Sequence, residues 1–188
     1  YRTSVLVMTA FFVLVALVST LVIRSNIRHI TEVWSPSLEY LQELETMTAK
    51  YRIKQYQHLV ESDAAAMATC EKENDNIESQ IKDATAKLGE IINSNKKAQQ
   101  GKADYEKATS AWEEYLSTSD EVYKLSRDNK QAEAAKIMIG SAYESYMSFV
   151  KQLNTLHDDF QVELDNAKTL ANICTIIIFI VIISPQVS

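Results

Sequence analysis

Arg52 is the side chain in the middle of this sequence best suited to recognition chemistry. A guanidinium suits a carboxylate because its planar fork donates two parallel hydrogen bonds, and it stays charged at any physiological pH. Arg52 falls on a mostly polar stripe with Leu41, Glu45, Thr48, Gln55 and Leu59, beside the core stripe that carries Tyr51. The ordinary alternative for such a residue is an ion pair with Glu45 or with a partner helix. Tyr143 and Tyr146 add aromatic surface. Tyr146 falls on a core stripe. Tyr143 lies off it, placed to line a dimer contact or a ligand such as an aromatic carboxylate. Bond-making chemistry has no such footing. His29, His58 and His157 are scattered, without a metal-binding spacing, and His157-Asp158-Asp159 reads as a solvated helix face. No Glu-x-x-His pair recurs on two helices and no glycine-rich phosphate loop is present. The expectation is a binding protein, not an enzyme, with no cofactor.

Bulk composition narrows the partners. Lys and Arg number 19 against 25 Asp and Glu, giving a formal charge of −6 over 188 residues. That balance argues against nucleic acid, whose phosphates need a basic face. With 3 glycines and 2 prolines, collagen-like, low-complexity and turn-rich β architectures are disfavoured. Cys70 lies in a polar helical stretch and Cys174 in a hydrophobic run, so they read as two buried or lipid-facing thiols without a disulfide.

Two hydrophobic runs frame the chain. The first, residues 5–23, is uncharged and long enough for a bilayer core, which takes about 20 apolar residues. It exceeds the apolar core of a signal peptide and flows into Arg24 without a small-residue cleavage site, so an uncleaved span is expected. The second, residues 170–183, is weaker, with Asn172 near its start, and needs tilt or residues beyond Ser188 to complete it. The tail from Pro185 to Ser188 carries no Lys or Arg stop and reads as the end of a fragment. Arg2 before the first run is opposed by Arg24 and Arg28 after it, so charge gives no orientation. The expected organisation is a transmembrane helix at 1–24, an extracytoplasmic domain at 25–169 and a second transmembrane helix at 170–188.

Between the runs, apolar residues repeat at alternating threes and fours, the helical period. Val33, Trp34, Leu38, Leu41, Leu44, Thr48, Tyr51, Gln55 and Leu59 form a first stripe. A second runs from Met67 through Ile81 and Leu88 to Ala98, and a third from Tyr105 through Trp112 and Tyr115 to Val122. The fourth takes in Ala132, Ala135, Ile139, Ala142, Tyr146 and Phe149, then continues to Leu170. Breaks are expected at Glu61-Ser62-Asp63, which offers caps, at Gln99-Gln100-Gly101, where glycine can take positive φ, and across residues 127–130. Connections this short force antiparallel neighbours. The fold class is all-α: an antiparallel up-down-up-down four-helix bundle flanked by two transmembrane helices. Pro36 should kink the first helix or restart it with Ser35 as cap.

The flanking spans, the Trp34-Ser-Pro36-Ser-Leu38 entry with Leu41 and Leu44, Arg52, Trp112-x-x-Tyr115 and the Asp128–Ala135 turn together carry a resemblance. The chain resembles, over nearly its whole length, the four-helix-bundle sensor domains of bacterial methyl-accepting chemotaxis proteins. The resemblance implies a homodimer or higher oligomer in the bacterial inner membrane, with the sensor in the periplasm or outside the cell. It implies a small-molecule ligand, an organic acid or amino acid, bound in the membrane-distal half, and a signal carried by the fourth helix as a stiff rod. By comparison with aspartate-sensing relatives Arg52 would hold a ligand carboxylate. Ala134 to Ile139 is apolar where those relatives place polar groups, which puts aspartate specificity in doubt. By comparison with relatives that sense organic acids, Lys102 and Tyr105 with Thr69 at the same level would form a second pocket, with Thr109 where an arginine is expected. Tyr105 has core packing as its plain alternative. The same module heads histidine kinases and diguanylate cyclases, and a ligand-free structural membrane bundle is the reading of a different class.

Overall fold

The computed structural model describes residues 2–183. Residue 1 and residues 184–188, parts of the two expected spans, lie outside them, as does the tail from Pro185. Every described element is helical: α1 (Arg2–His29), a π-helical turn (Ile30–Trp34), α2 (Ser35–Val60), α3 (Ala64–Ser94), a 3-10 turn (Ala98–Gly101), α4 (Lys102–Arg127), α5 (Gln131–Ile139) and α6 (Ser141–Ile183). The chain divides into two compact units: one from the described residues up to Pro36 and from Phe160 onward, the other Ser37–Asp159.

In the first unit Trp34 is fully buried and packs on Phe160 at 5.5 Å between ring centroids. Val33 and Leu164 are buried with them, and so are the small or polar Ser19, Asn26, Ala167 and Cys174, while Leu6, Phe11, Leu14, Leu21, Ile176 and Phe179 face outward. A water-facing helix does the reverse. Stretches within Val5–Val60 and Gln131–Val181 are apolar enough to cross a membrane, with mean hydropathy 2.8 and 1.5. Both cysteines are free. Ser35 has helical dihedrals (φ −64°, ψ −47°), so it is no cap. Its N–H reaches back to the Ile30 carbonyl, and the π-helical turn takes up the distortion that Pro36 imposes.

The second unit is the four-helix bundle, formed by α2, α3, α4 and the α5–α6 pair. Its core follows the heptads on three helices: Leu41, Leu44, Tyr51 and Leu59 from α2, Ile81, Ala84 and Leu88 from α3, Ala108, Trp112, Tyr115 and Val122 from α4. At the end of α3 the stripe slips by one residue, and Ile92 is fully buried where Ile91 was expected. The turns come from local chemistry. Asp63 caps α3 by accepting the Ala66 N–H at 2.9 Å. Asn129 takes the left-handed conformation at φ 58° after α4, and the Lys130 and Asn129 N–H groups bond back to the Leu125 and Ser126 carbonyls. The stop expected at Gly101 is corrected. Helix α3 ends at Asn95, whose side chain accepts the Lys97 N–H at 3.0 Å, and Gly101 has an ordinary φ of −80° inside a 3-10 turn.

The fourth bundle helix is not continuous from Ala132. It breaks at Gly140 (φ −102°, ψ −112°), where the N–H bonds to both Lys136 and Ile137 carbonyls. The break resets the heptad phase. Ahead of it Ala134 and Met138 face the core and Ile139 is exposed, whereas Ala142, Phe149, Leu153 and Leu156 keep the expected register after it. A Cβ on residue 140 would sit 2.9 Å from the Lys136 carbonyl oxygen, a backbone atom with little room to give. Gly140→Ala is therefore expected to destabilise the fold by more than about 1 kcal/mol in urea unfolding, despite the better helix propensity of alanine. A more stable variant would mean that α5 and α6 merge readily into one helix.

Candidate functional site

Arg52 lies on α2 facing the α5–α6 break. Its Nη2 donates to the Tyr56 hydroxyl at 3.0 Å and to the Met138 carbonyl at 3.0 Å, one of the carbonyls left over at the end of α5. Four phenol rings surround the guanidinium carbon: Tyr146 at 4.9 Å, Tyr56 and Tyr143 at 5.3 Å, and Tyr115 at 5.9 Å to their centroids. Burial pushes the Tyr115 and Tyr146 hydroxyls up, and the Arg52 charge only partly offsets this, so both rings stay neutral phenols. They offer ring quadrupoles and no counter-charge. Among the described residues no carboxylate pairs with Arg52, and its Nη1 is buried without a hydrogen-bond partner. The ion pair with Glu45 weighed for it is not formed. Thr48 and Gln55, read as part of a polar face, are fully buried. Gln55 donates to Ser119 Oγ at 2.8 Å and accepts from the Tyr115 hydroxyl, which fixes one ring of the Arg52 cage.

Of the other residues singled out in the sequence, Tyr143 joins Arg52 in one place. Tyr105 does not. It is half-buried near the start of α4, donates to the Thr85 carbonyl at 3.0 Å, and leaves no room for a side chain at Gly89. It lines a cleft between α3 and α4. Lys102 is exposed and pairs with Glu106 at 3.8 Å. Thr69 is exposed and bonds to the Ala65 carbonyl of its own helix at 2.9 Å. The common level assumed for Thr69 and Tyr105 is corrected: Tyr105 meets α3 at Thr85, about 24 Å along the helix from Thr69 at 1.5 Å per residue.

A second polar cluster was not legible as such. His58 is fully buried, its Nδ1 2.9 Å from Ser126 Oγ and its Nε2 2.9 Å from Glu71 Oε1. Ser126 Oγ donates to the His58 carbonyl at 3.1 Å, and Arg127 Nη1 grips both Glu71 oxygens at 2.6 Å. The cluster ties α2, α3 and α4 together beside their turns. Burial raises the Glu71 carboxyl, but the hydrogen bonds from Arg127 and His58 outweigh it and hold it below the usual carboxylate range. A carboxyl lowered by folding contributes stability above its unfolded value, about pH 4.3, which is lost as pH falls through its folded value. Glu71→Gln should therefore lose less stability than the parent between neutral and acid pH in urea titrations. Parallel acid losses in the two proteins would take Glu71 out of this linkage.

Four long helices around a buried aromatic core define an all-α bundle. The chain belongs to the four helix bundle sensory modules for signal transduction, whose family model matches residues 3–172. No curated protein matches the chain. The module is itself non-catalytic, and its apolar first helix fits the extracytoplasmic sensor of a membrane receptor.

Proposed function

We propose that this chain is the ligand-sensing part of a transmembrane chemoreceptor of the bacterial inner membrane. It binds a small carboxylate or amino acid against Arg52 and Tyr143 and works as a homodimer in the periplasm. The observation that carries the reading is the Arg52 guanidinium, charged, ringed by neutral phenols and with Nη1 unpartnered. An incoming carboxylate would satisfy Nη1 while Nη2 stays on the Met138 carbonyl. Arg52 thereby touches both sides of the Gly140 break, and a ligand there acts on the first turn of α6. A long helix moves as a rod between discrete packings, so a small shift at its start is carried along it.

Transmembrane helices at 1–24 and 170–188, with the sensor at 25–169, are supported by the outward apolar and inward small residues of α1 and the end of α6. The homodimer is supported by exposed apolar side chains around Arg52: Ile53, Tyr56 and Val60 on α2, Ile139 at the end of α5, and Tyr143 and Met147 on α6. The test is thermal unfolding of the full chain in detergent against a panel of small carboxylates and amino acids. A ligand that binds only the folded state adds about 2.7 kcal/mol at 100 times its Kd. Stabilisation by at least one panel member is expected, and silence across the panel would favour a structural bundle.

A further inference from the structure

A cleft of about 450 Å³ opens between α3 and α4, on residues separate from those around Arg52. That volume is within the range of small-molecule sites. Small side chains, Thr85 and Ala86 on α3 and Ala108 and Thr109 on α4, line it and leave space between the helices there. The floor reaches the bundle core at Leu44, Ile81, Trp112 and Phe149, so the interior is apolar and aromatic. The charged lining is Glu78 and Lys82 from α3 and Glu113 from α4, two carboxylates against one ammonium.

The surroundings strengthen that negative bias. Burial pushes the Glu78 carboxyl up and the charges of Asp75 and Asp120 push it further, with Lys82 only partly opposing them. Among the described residues neither Glu78 nor Glu113 forms an ion pair. A ligand carrying a positive group would relieve this repulsion, and an organic acid would add to it.

We propose that the α3–α4 cleft binds a small amphipathic cation, an alkyl- or arylalkylammonium ion, with its apolar body over Leu44, Ile81 and Trp112 and its ammonium group between Glu78 and Glu113. The body gains by burying apolar surface against an aromatic wall, and the ammonium stays at the partly solvated mouth where its carboxylate partners sit. The site is independent of Arg52, so the bundle would read two ligand charges at two places.

The test titrates the full chain in detergent with 2-phenylethylammonium, hexylammonium, 2-phenylethanol and phenylacetate, followed by calorimetry and tryptophan fluorescence. The two ammonium ions should bind, the alcohol about 10-fold more weakly or worse, and phenylacetate not at this site. The double variant Glu78→Gln/Glu113→Gln, altered only at the exposed mouth, should weaken ammonium binding about 10-fold or more. Arg52→Ala should leave it unchanged. No binding of either ammonium ion, equal binding of cation and alcohol, or an unaltered affinity in the double variant would each overturn the proposal.

Discussion

Arg52→Ala is expected to abolish the response to the anionic ligand while leaving the helix content of the chain intact. A hydrogen bond to a charged group contributes about 1.5–3 kcal/mol, which is about a 10- to 150-fold loss in affinity when the donor goes. Arg52→Lys should fall between parent and alanine variant: it keeps a positive charge inside the tyrosine ring but loses the fork that allows Nη2 to hold Met138 while Nη1 is free. Titration calorimetry with the stabilising ligand separates the three proteins. An unchanged affinity in Arg52→Ala removes Arg52 from the pocket.

Trp112→Ala should have the largest effect on stability. The indole stacks on Tyr115 at 5.0 Å and meets Phe149 at 5.4 Å and Tyr51 at 5.5 Å, so it joins α4 to α2 and α6. Truncating a buried aromatic costs about 3–5 kcal/mol through lost transfer energy and the cavity left behind. That is a large part of the about 5–15 kcal/mol that holds most domains folded. Ile139→Ala is the matched control. Ile139 is equally apolar and fits the heptad pattern, yet it is 68% exposed because of the break at Gly140. In the monomeric chain its loss should stay within about 0.5 kcal/mol. Comparable destabilisation of the two variants, measured by urea unfolding with circular dichroism, would contradict the phase reset at Gly140.

Much of the bundle was readable because its first three stripes obey one period over most of their length. Leu41, Leu88, Ala108 and Val122 face the core as their spacing requires. Gly140 escaped notice because Ile139 and Ala142 continue the pattern across it, and a period cannot report a change of phase that two apolar residues bridge. Gly101 misled in the opposite sense: glycine permits a left-handed stop, but Asn95 ended the helix first with its own side chain. Within the candidate site, Arg52 and Tyr143 were visible as a cation and an aromatic off the core stripe. The ring around them was read only in part: Tyr56 stands one turn beyond Arg52 on the same face of α2 and was missed there, whereas Tyr115 comes from α4 and reaches Arg52 only on folding. The His58 cluster was hidden for a similar reason. Its partners Glu71, Ser126 and Arg127 lie 13 residues or more away in sequence, and a buried histidine looks like any other in a helical pattern.

The link between Arg52 and the helix leaving the bundle is tested most directly by amide hydrogen exchange of the full chain with and without the stabilising carboxylate. Binding should slow exchange at the end of α5 and the first turns of α6, around Met138 to Tyr146, and the change should vanish in Arg52→Ala. Protection confined to α3 and α4, with exchange around Gly140 unaltered, would contradict the account and place the sensed ligand elsewhere.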